Sequence, residues 1–135
     1  DGSALAKFRA MVVAQGGDPA YVDDTSRLAH AAFTEAVTAP QTGYISAVSA
    51  IQVAQAALEL GAGREKKGDP IDLAVGIVVT VKVGDAIGKG EPVAKLHAND
   101  ESKLAAARTA LEGAISYTET PVDPLPLFYD VIKGD

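Results

Sequence analysis

A glycine-rich basic loop, two closely spaced carboxylates and two histidines are the residues of this 135-residue sequence whose types and spacing bear most on chemistry. Gly61, Gly63 and Gly68 are interleaved with Arg64, Lys66 and Lys67, a composition suited to holding a phosphate on backbone amides. A phosphate cradle needs a strand before the loop and a helix N-terminus after it, so that the helix dipole aims amides at the anion. Here a helical pattern precedes the loop and a β-branched run follows, so the loop reads as a solvated charged turn or as a contact for a neighbouring domain. Asp69 and Asp72 flank Pro70 and Ile71 as a carboxylate pair, yet no Asx-rich loop or suitably spaced histidine completes a metal shell. A turn in which both carboxylates accept from nearby backbone amides fits them better. His30 and His97 lie far apart, and no GxSxG elbow supports a serine triad. His97, at a strand end beside Asn99, is weighed as a general base against a structural imidazole, and the structural reading is preferred. No catalytic, cofactor-binding or metal-ligating set is assigned, and no cofactor is expected.

Composition narrows the classes further. The formal charge of −6 opposes nucleic acid, whose partners carry clustered positive surface. Aromatic residues are few, with three Phe, four Tyr and no Trp, so stacking platforms for bases are not expected. Cysteine is absent, which removes disulfides and thiolate chemistry and fits a reducing, cytoplasmic setting. No apolar run reaches the ~18 residues of a membrane helix, and the first residues show no signal-peptide pattern. The sequence opens on Asp1 without an initiator Met and reads as a piece of a longer polypeptide. The 25 alanines predict a core in which helices and strands approach closely.

The elements that must position these residues are legible in outline. Leu5, Phe8, Met11 and Val12 form a 3.6-residue stripe, so residues 4–15 are expected as an amphipathic helix capped by Ser3 and ended by Gly16 and Gly17. Residues 16–31, with Asp18-Pro19, read as a connection. Residues 28–39 leave helix and strand open: the alanines and the periodicity lean to helix, whereas Phe33, Thr34, Val37 and Thr38 suit a strand stopping at Pro40. Tyr44, Ile45 and Val48 mark a short strand. Ser49 and Gln52 have capping-box spacing for a helix closed by Gly61. Two β-branched runs, 75–83 and 92–97, follow with turns at Gly84-Asp85 and at Gly88 to Gly90. Asn99 or Asp100 caps a helix through Leu104 and Leu111 to Gly113, and Ile115 to Thr118 form a last strand. The tail, with Pro121, Pro124 and Pro126, is expected to be extended and pinned against a surface. The pattern is α+β, with two packed helices and a leading N-terminal helix.

Two resemblances follow from these residues. VKVGDAIGKGEPVAKL resembles the half-barrel repeat of biotinyl and lipoyl carrier domains, which raises Lys89 as a modified lysine. The aligned position of the modified lysine in those carriers falls on His97-Ala98-Asn99-Asp100, where there is none. Covalent attachment is therefore not expected, although a free-standing binding or carrier-like module is kept as an alternative. The second resemblance is far longer. AQGGD at 14–18, TGYIS at 42–46, LGAGREKKGDPIDLAVGIVVTVKVGDAIGKGEPVAKLHAND at 60–100 and PLFYDVI at 126–132 are collinear with the C-terminal region of pyrimidine-nucleoside (thymidine) phosphorylases. Its signature rests on Gly61, Gly63 and Arg64, then Asp69 and Asp72, then Gly76, Gly84, Asp85 and Gly90, and finally His97 and Asn99, all expected to be structural. The resemblance implies an α/β-hammerhead-like C-terminal domain at 28–120, a helix and connection at 1–27 belonging to the large α/β domain, and an extended tail at 121–135. It favours a strand for about 32–38, although Ala29 stands where the family has a proline. It also implies a cytoplasmic homodimeric parent that splits a pyrimidine nucleoside with phosphate. The family's catalytic residues lie in N-terminal sequence with which this chain would be partnered, so the chain alone is expected to be inactive.

Overall fold

The computed structural model describes residues 1–64 and 66–133. The chain divides into two compact units, Asp1–His30 and Ala31–Asp135. In the first, α1 (Ser3–Ala14) is followed by the single turn α2 (Ala20–Asp23) and a 3-10 turn at Thr25–Arg27, so the expected connection holds two short helical pieces. Ser3 does not cap α1, because it is already helical. The Asp1 carboxylate accepts from the Ser3 N–H and hydroxyl at 2.9 and 2.7 Å, placing negative charge at the positive end of the helix. Gly16 and Gly17 do end it: their N–H groups donate to Val13 and Val12 carbonyls at 3.0 and 2.9 Å, the paired bonds of a Schellman motif. The Arg9 guanidinium forks onto Asp23 at 2.8 and 2.9 Å and ties α1 to α2. Leu5, Phe8 and Met11 remain exposed.

The second unit is α+β. Its elements are β1 (Phe33–Thr38), β2 (Gly43–Val48), α3 (Ala50–Leu60), β3 (Gly76–Val79), β4 (Ala86–Ile87), β5 (Pro92–Ala98), α4 (Glu101–Glu112) and β6 (Ile115–Thr118). They form two antiparallel three-stranded sheets, ordered β1-β5-β3 and β4-β2-β6. Residues 33–38 are a strand, as the resemblance implied. The helix-leaning periodicity arose because Phe33 and Val37 are four apart, a spacing that lies on one face of a helix and also on one face of a strand. The pairing Glu35↔Leu96 puts Glu35 in that row, where it meets Arg108 of α4 at 3.2 Å.

The β-branched run 75–83 does not make one strand. It leaves the sheet after Val79, and a turn at Lys82 to Asp85 carries the chain to the other sheet. Bonds across that crossing hold the turn to β2: Gly84 N–H donates to the Ile45 carbonyl and Ile45 N–H to the Asp85 carbonyl, both at 2.9 Å. The turns at Gly84-Asp85 and Gly88 to Gly90 therefore join strands of different sheets rather than the arms of one hairpin. Gly43 lies so close to β6 that a Cβ there would sit 2.3 Å from the Thr118 carbonyl oxygen, inside any tolerable contact.

Both sheets and both long helices of this unit contribute to one core. Ala94, Leu96 and Ala98 alternate along β5, with Ile45, Ala56, Leu60, Ala107 and Leu111 buried in the same cluster. Six of the fifteen buried residues are alanine, which is how α3 and α4 come close to each other and to the sheet. Leu96→Ala is expected to cost about 2–5 kcal/mol in urea unfolding, because the removed methyl groups are fully enclosed. Gly43→Ala, which adds one methyl group, is expected to destabilise by about 1–3 kcal/mol or more in the same measurement.

Candidate functional site

The signature residues come together mainly through backbone capture by carboxylates. Three loops repeat one arrangement: an acid accepts the N–H of the residue three before it, and its own N–H returns to that residue's carbonyl. In Lys66 to Asp69 the side-chain bond is 2.8 Å and the backbone bond 3.2 Å. In Lys82 to Asp85 they are 2.7 and 3.1 Å, and in Gly88 to Glu91 they are 2.9 and 3.0 Å. The residue before each acid is a glycine at φ between 84° and 100°, so Gly68, Gly84 and Gly90 supply the left-handed corner that the turn requires. The signal was present in the sequence as KKGD, KVGD and GKGE, a recurring x-x-Gly-acid pattern hidden by its short length and irregular spacing. Lys89 belongs to the third turn, where its N–H is held by the Thr42 hydroxyl at 3.0 Å.

Asp72 and Asn99 form the centre of the site. One Asp72 oxygen accepts from the Ala74 N–H at 2.9 Å and the other from the Asn99 amide at 2.7 Å. The Asn99 carbonyl oxygen in turn accepts from the Ala32 N–H at 2.7 Å, the backbone just ahead of β1. Asp72 N–H donates to the Gly61 carbonyl at 3.0 Å, so the same residue also holds the end of α3. Gly61 sits at φ 100°, and the Gly61 and Ala62 amides close α3 onto Leu58 and Ala57 in a second Schellman motif. One short network thus joins the end of α3, the approach to β3, the end of β5 and the entry of β1. Sequence reading placed Asp72 in a turn; it did not find the Asn99–Ala32 bond, which spans a separation that no local pattern reports.

A shallow cavity of about 280 Å³ opens over this network, lined by Gly61, Asp72, Asn99, Asp100 and Lys103 among others. Asp100, rather than Asn99, caps α4: its carboxylate accepts from the Ser102 and Lys103 N–H groups at 2.8 and 3.0 Å and from the Ser102 hydroxyl. The Ala74 N–H, the Asn99 amide and the nearby Lys103 charge hold the Asp72 carboxyl below the usual carboxylate range. The Ser102 hydroxyl and the Lys103 N–H do the same for Asp100. Both acids are engaged in holding backbone, which is the work of a clasp rather than of a general base. His97 lies within β5 opposite Thr34 and Gly76. His30 lies in the first unit, its Nε2 donating to the Ser26 carbonyl at 2.7 Å. Arg64 is exposed, and a Cβ at Gly63 would press on Leu58 Cδ1 at 2.8 Å. A Cβ at Gly76 would meet nothing within 4 Å, but its φ of 158° lies in the positive range that L side chains rarely adopt, which accounts for glycine there. Among the described residues there is no cluster of three His, Asp or Glu able to hold a metal ion.

The second unit is a two-sheet α+β domain, clasped at Asp72 and Asn99 and turned by three glycine–acid corners, in which Asp69, Asp72, Asp85, Glu91 and Asp100 accept from its own backbone. Residues 44–118 match the family model described as pyrimidine nucleoside phosphorylase C-terminal domain, and the chain belongs to that family. It is 43% identical to the pyrimidine-nucleoside phosphorylase of Geobacillus stearothermophilus over 133 residues, which is 98% of this chain and 30% of that protein. It is 48% identical to the enzyme of that name from Bacillus subtilis (strain 168) over 102 residues, 76% of this chain and 24% of the relative. With that from Staphylococcus aureus (strain MSSA476) it shares 35% identity over 132 residues, 98% of this chain and 30% of the relative. The chain spans no more than about a third of the length of these curated relatives.

Because both acids have folded-state pKa values lowered below the unfolded value of ~3.9, their contribution to stability is complete above that value and is lost as pH falls through the folded one. Thermal midpoints measured between pH 7 and pH 2 should therefore fall on the acid side of about pH 4. Asn99→Ala should lower the midpoint by the equivalent of about 1 kcal/mol at neutral pH. Asn99→Asp should cost more, because a carboxylate cannot donate to Asp72 and repels it, and the gap between the two variants should close on acidification. A midpoint for Asn99→Ala equal to that of the unsubstituted protein at pH 7 would show that the Asn99 amide is not the donor that matters.

Proposed function

We propose that this chain serves as the C-terminal domain of a pyrimidine-nucleoside phosphorylase, with a structural and closure role and no catalytic group of its own. The observation that carries this reading is 43% identity over 133 of its residues with an enzyme more than three times its length. The parent reaction breaks the glycosidic C–N bond of a pyrimidine nucleoside and forms a bond between phosphate oxygen and the anomeric carbon, releasing the base and a pentose 1-phosphate. Positive charge on the sugar and negative charge on the departing base must be managed together, by bound phosphate and by a cationic pocket. The acids described above are occupied by backbone donors, and the net charge of −6 works against gathering phosphate on this chain.

On this reading residues 1–27 belong to the large α/β domain of the parent, 28–120 form the hammerhead-like C-terminal domain, and 121–135 are its tail, of which 134 and 135 lie outside the described residues. The N-terminal catalytic portion is the partner, the parent is a homodimer, and the setting is cytoplasmic. Among the described residues no helix is long and apolar enough to cross a membrane. The direct assay is phosphorolysis: this chain alone should release no base from thymidine or uridine with phosphate. Joined behind the preceding portion of the Geobacillus stearothermophilus enzyme, it should restore turnover well above that portion alone. Release of base by the isolated chain, or no gain on joining, would refute the assignment.

A further inference from the structure

The tail after β6 divides into a held half and an exposed half. Val122 and Pro124 lie against Gly84 so closely that a Cβ at Gly84 would stand 3.0 Å from the Val122 carbonyl oxygen and 3.1 Å from the Pro124 nitrogen. Pro124 and Leu125 then line a groove of about 360 Å³ with Val48, Val81 and Val83. Beyond Leu125 the expected pinning ends. Leu127, Phe128 and Ile132 are 93%, 81% and 95% exposed, and Tyr129 and Val131 are exposed beside them. Five large apolar side chains within six residues that lie outside any helix or strand are a costly surface to leave in water.

We propose that residues 126–132 are a docking strap whose occupant is an apolar surface of the polypeptide that precedes this chain's matched region in the phosphorylase. This rests on the reading given above and adds to it the segment that makes the contact. Three observations select that occupant. The alignment with the Geobacillus enzyme covers 98% of the chain, so the strap lies inside the shared region although the family model stops at residue 118. About 70% of that enzyme lies outside the alignment and can supply the covering surface. The strap also continues directly from the held half, so its root is already fixed on the domain. Pro126 fixes one φ at the head of the strap, which lowers the entropy lost on docking there.

The test is amide hydrogen exchange across residues 127–132 in three samples: this chain alone, this chain joined behind the preceding portion of the Geobacillus enzyme, and the intact Geobacillus enzyme over its aligned segment. The strap should exchange freely in the isolated chain and about 100-fold more slowly in both larger proteins. The double change Phe128→Asp with Ile132→Asp alters only exposed side chains, and should return the joined protein's strap to the free rate. A hybrid that turns over nucleoside while its strap exchanges freely overturns the strap and leaves the proposed function standing. A protected strap in a hybrid without turnover upholds the docking and refutes the function. Free exchange in the intact Geobacillus enzyme overturns the strap whether or not the hybrid folds. Protection in the isolated chain that grows with its concentration also overturns it, by making a second copy the occupant.

Discussion

Strand β5 is hydrogen-bonded along both edges, to β1 on one side and β3 on the other, and its inward row of Ala94, Leu96 and Ala98 is buried in the core to which α4 contributes. A change in its position therefore displaces two strands and a helix at once. The alternation of small and large residues along this row sets how near α4 can come, since two alanines flank one leucine and Ala107 lies in the same cluster. Asn99 immediately follows β5, so its amide is delivered to Asp72 and Ala32 by the rigid strand rather than by a loop. The clasp inherits its precision from the sheet, which is why a bond between residues far apart in sequence needs no local motif.

Local patterns were readable where the determining physics is local. The Ser49 hydroxyl accepts from the Gln52 N–H, and the glycine after Leu60 closes α3 as its type suggests. The α+β class, the strand at Ile115–Thr118 and the helix from Glu101 to Glu112 follow from spacing of the same kind. Residues 33–38 were ambiguous because one spacing satisfies two periods, and the decision came from pairing with β5, which no window of residues contains. The run 75–83 misled for a related reason. β-branched side chains favour extended backbone, but extended backbone does not require that all of it stay in one sheet, and the Lys82 to Asp85 corner redirects it. At the α1 terminus a hydroxyl and a carboxylate were both available, and the charged acceptor two residues earlier took the amide.

The acidic balance has a structural meaning once the carboxylates are located. Asp69, Asp85 and Glu91 hold turns, Asp72 holds a loop and Asn99, and Asp100 holds the first turn of α4. Each is an acceptor for N–H groups that the ladder leaves unpaired at a corner, and an ionised acceptor bonds them more strongly than a neutral one. Lysines stand in these corners, where the backbone N–H groups of Lys66 and Lys82 donate to Asp69 and Asp85 and that of Lys89 donates to Thr42. Negative charge that looked, in sequence, like a candidate for metal or acid–base work is thus distributed over corners rather than gathered at one point.

The same contrast between satisfied and unsatisfied surface separates the matched domain from what flanks it. Within residues 44–118 most of the large apolar side chains are buried or half-buried, with Ile51, Ile71, Leu73 and Val78 the exceptions. Outside that span, Leu5, Phe8 and Met11 before it and Leu127, Phe128 and Ile132 after it are exposed in their respective units. The flanks differ in kind: α1 offers a preformed helical stripe, whereas the described tail residues lie in no helix or strand whose ladder would satisfy their backbone. A helix can bury its stripe against any flat apolar face. A segment without such a ladder also carries free amides and carbonyls, so a partner that buries it must supply hydrogen bonds as well as apolar contact, and a sheet edge or a wet groove meets that requirement better than a closed apolar pocket.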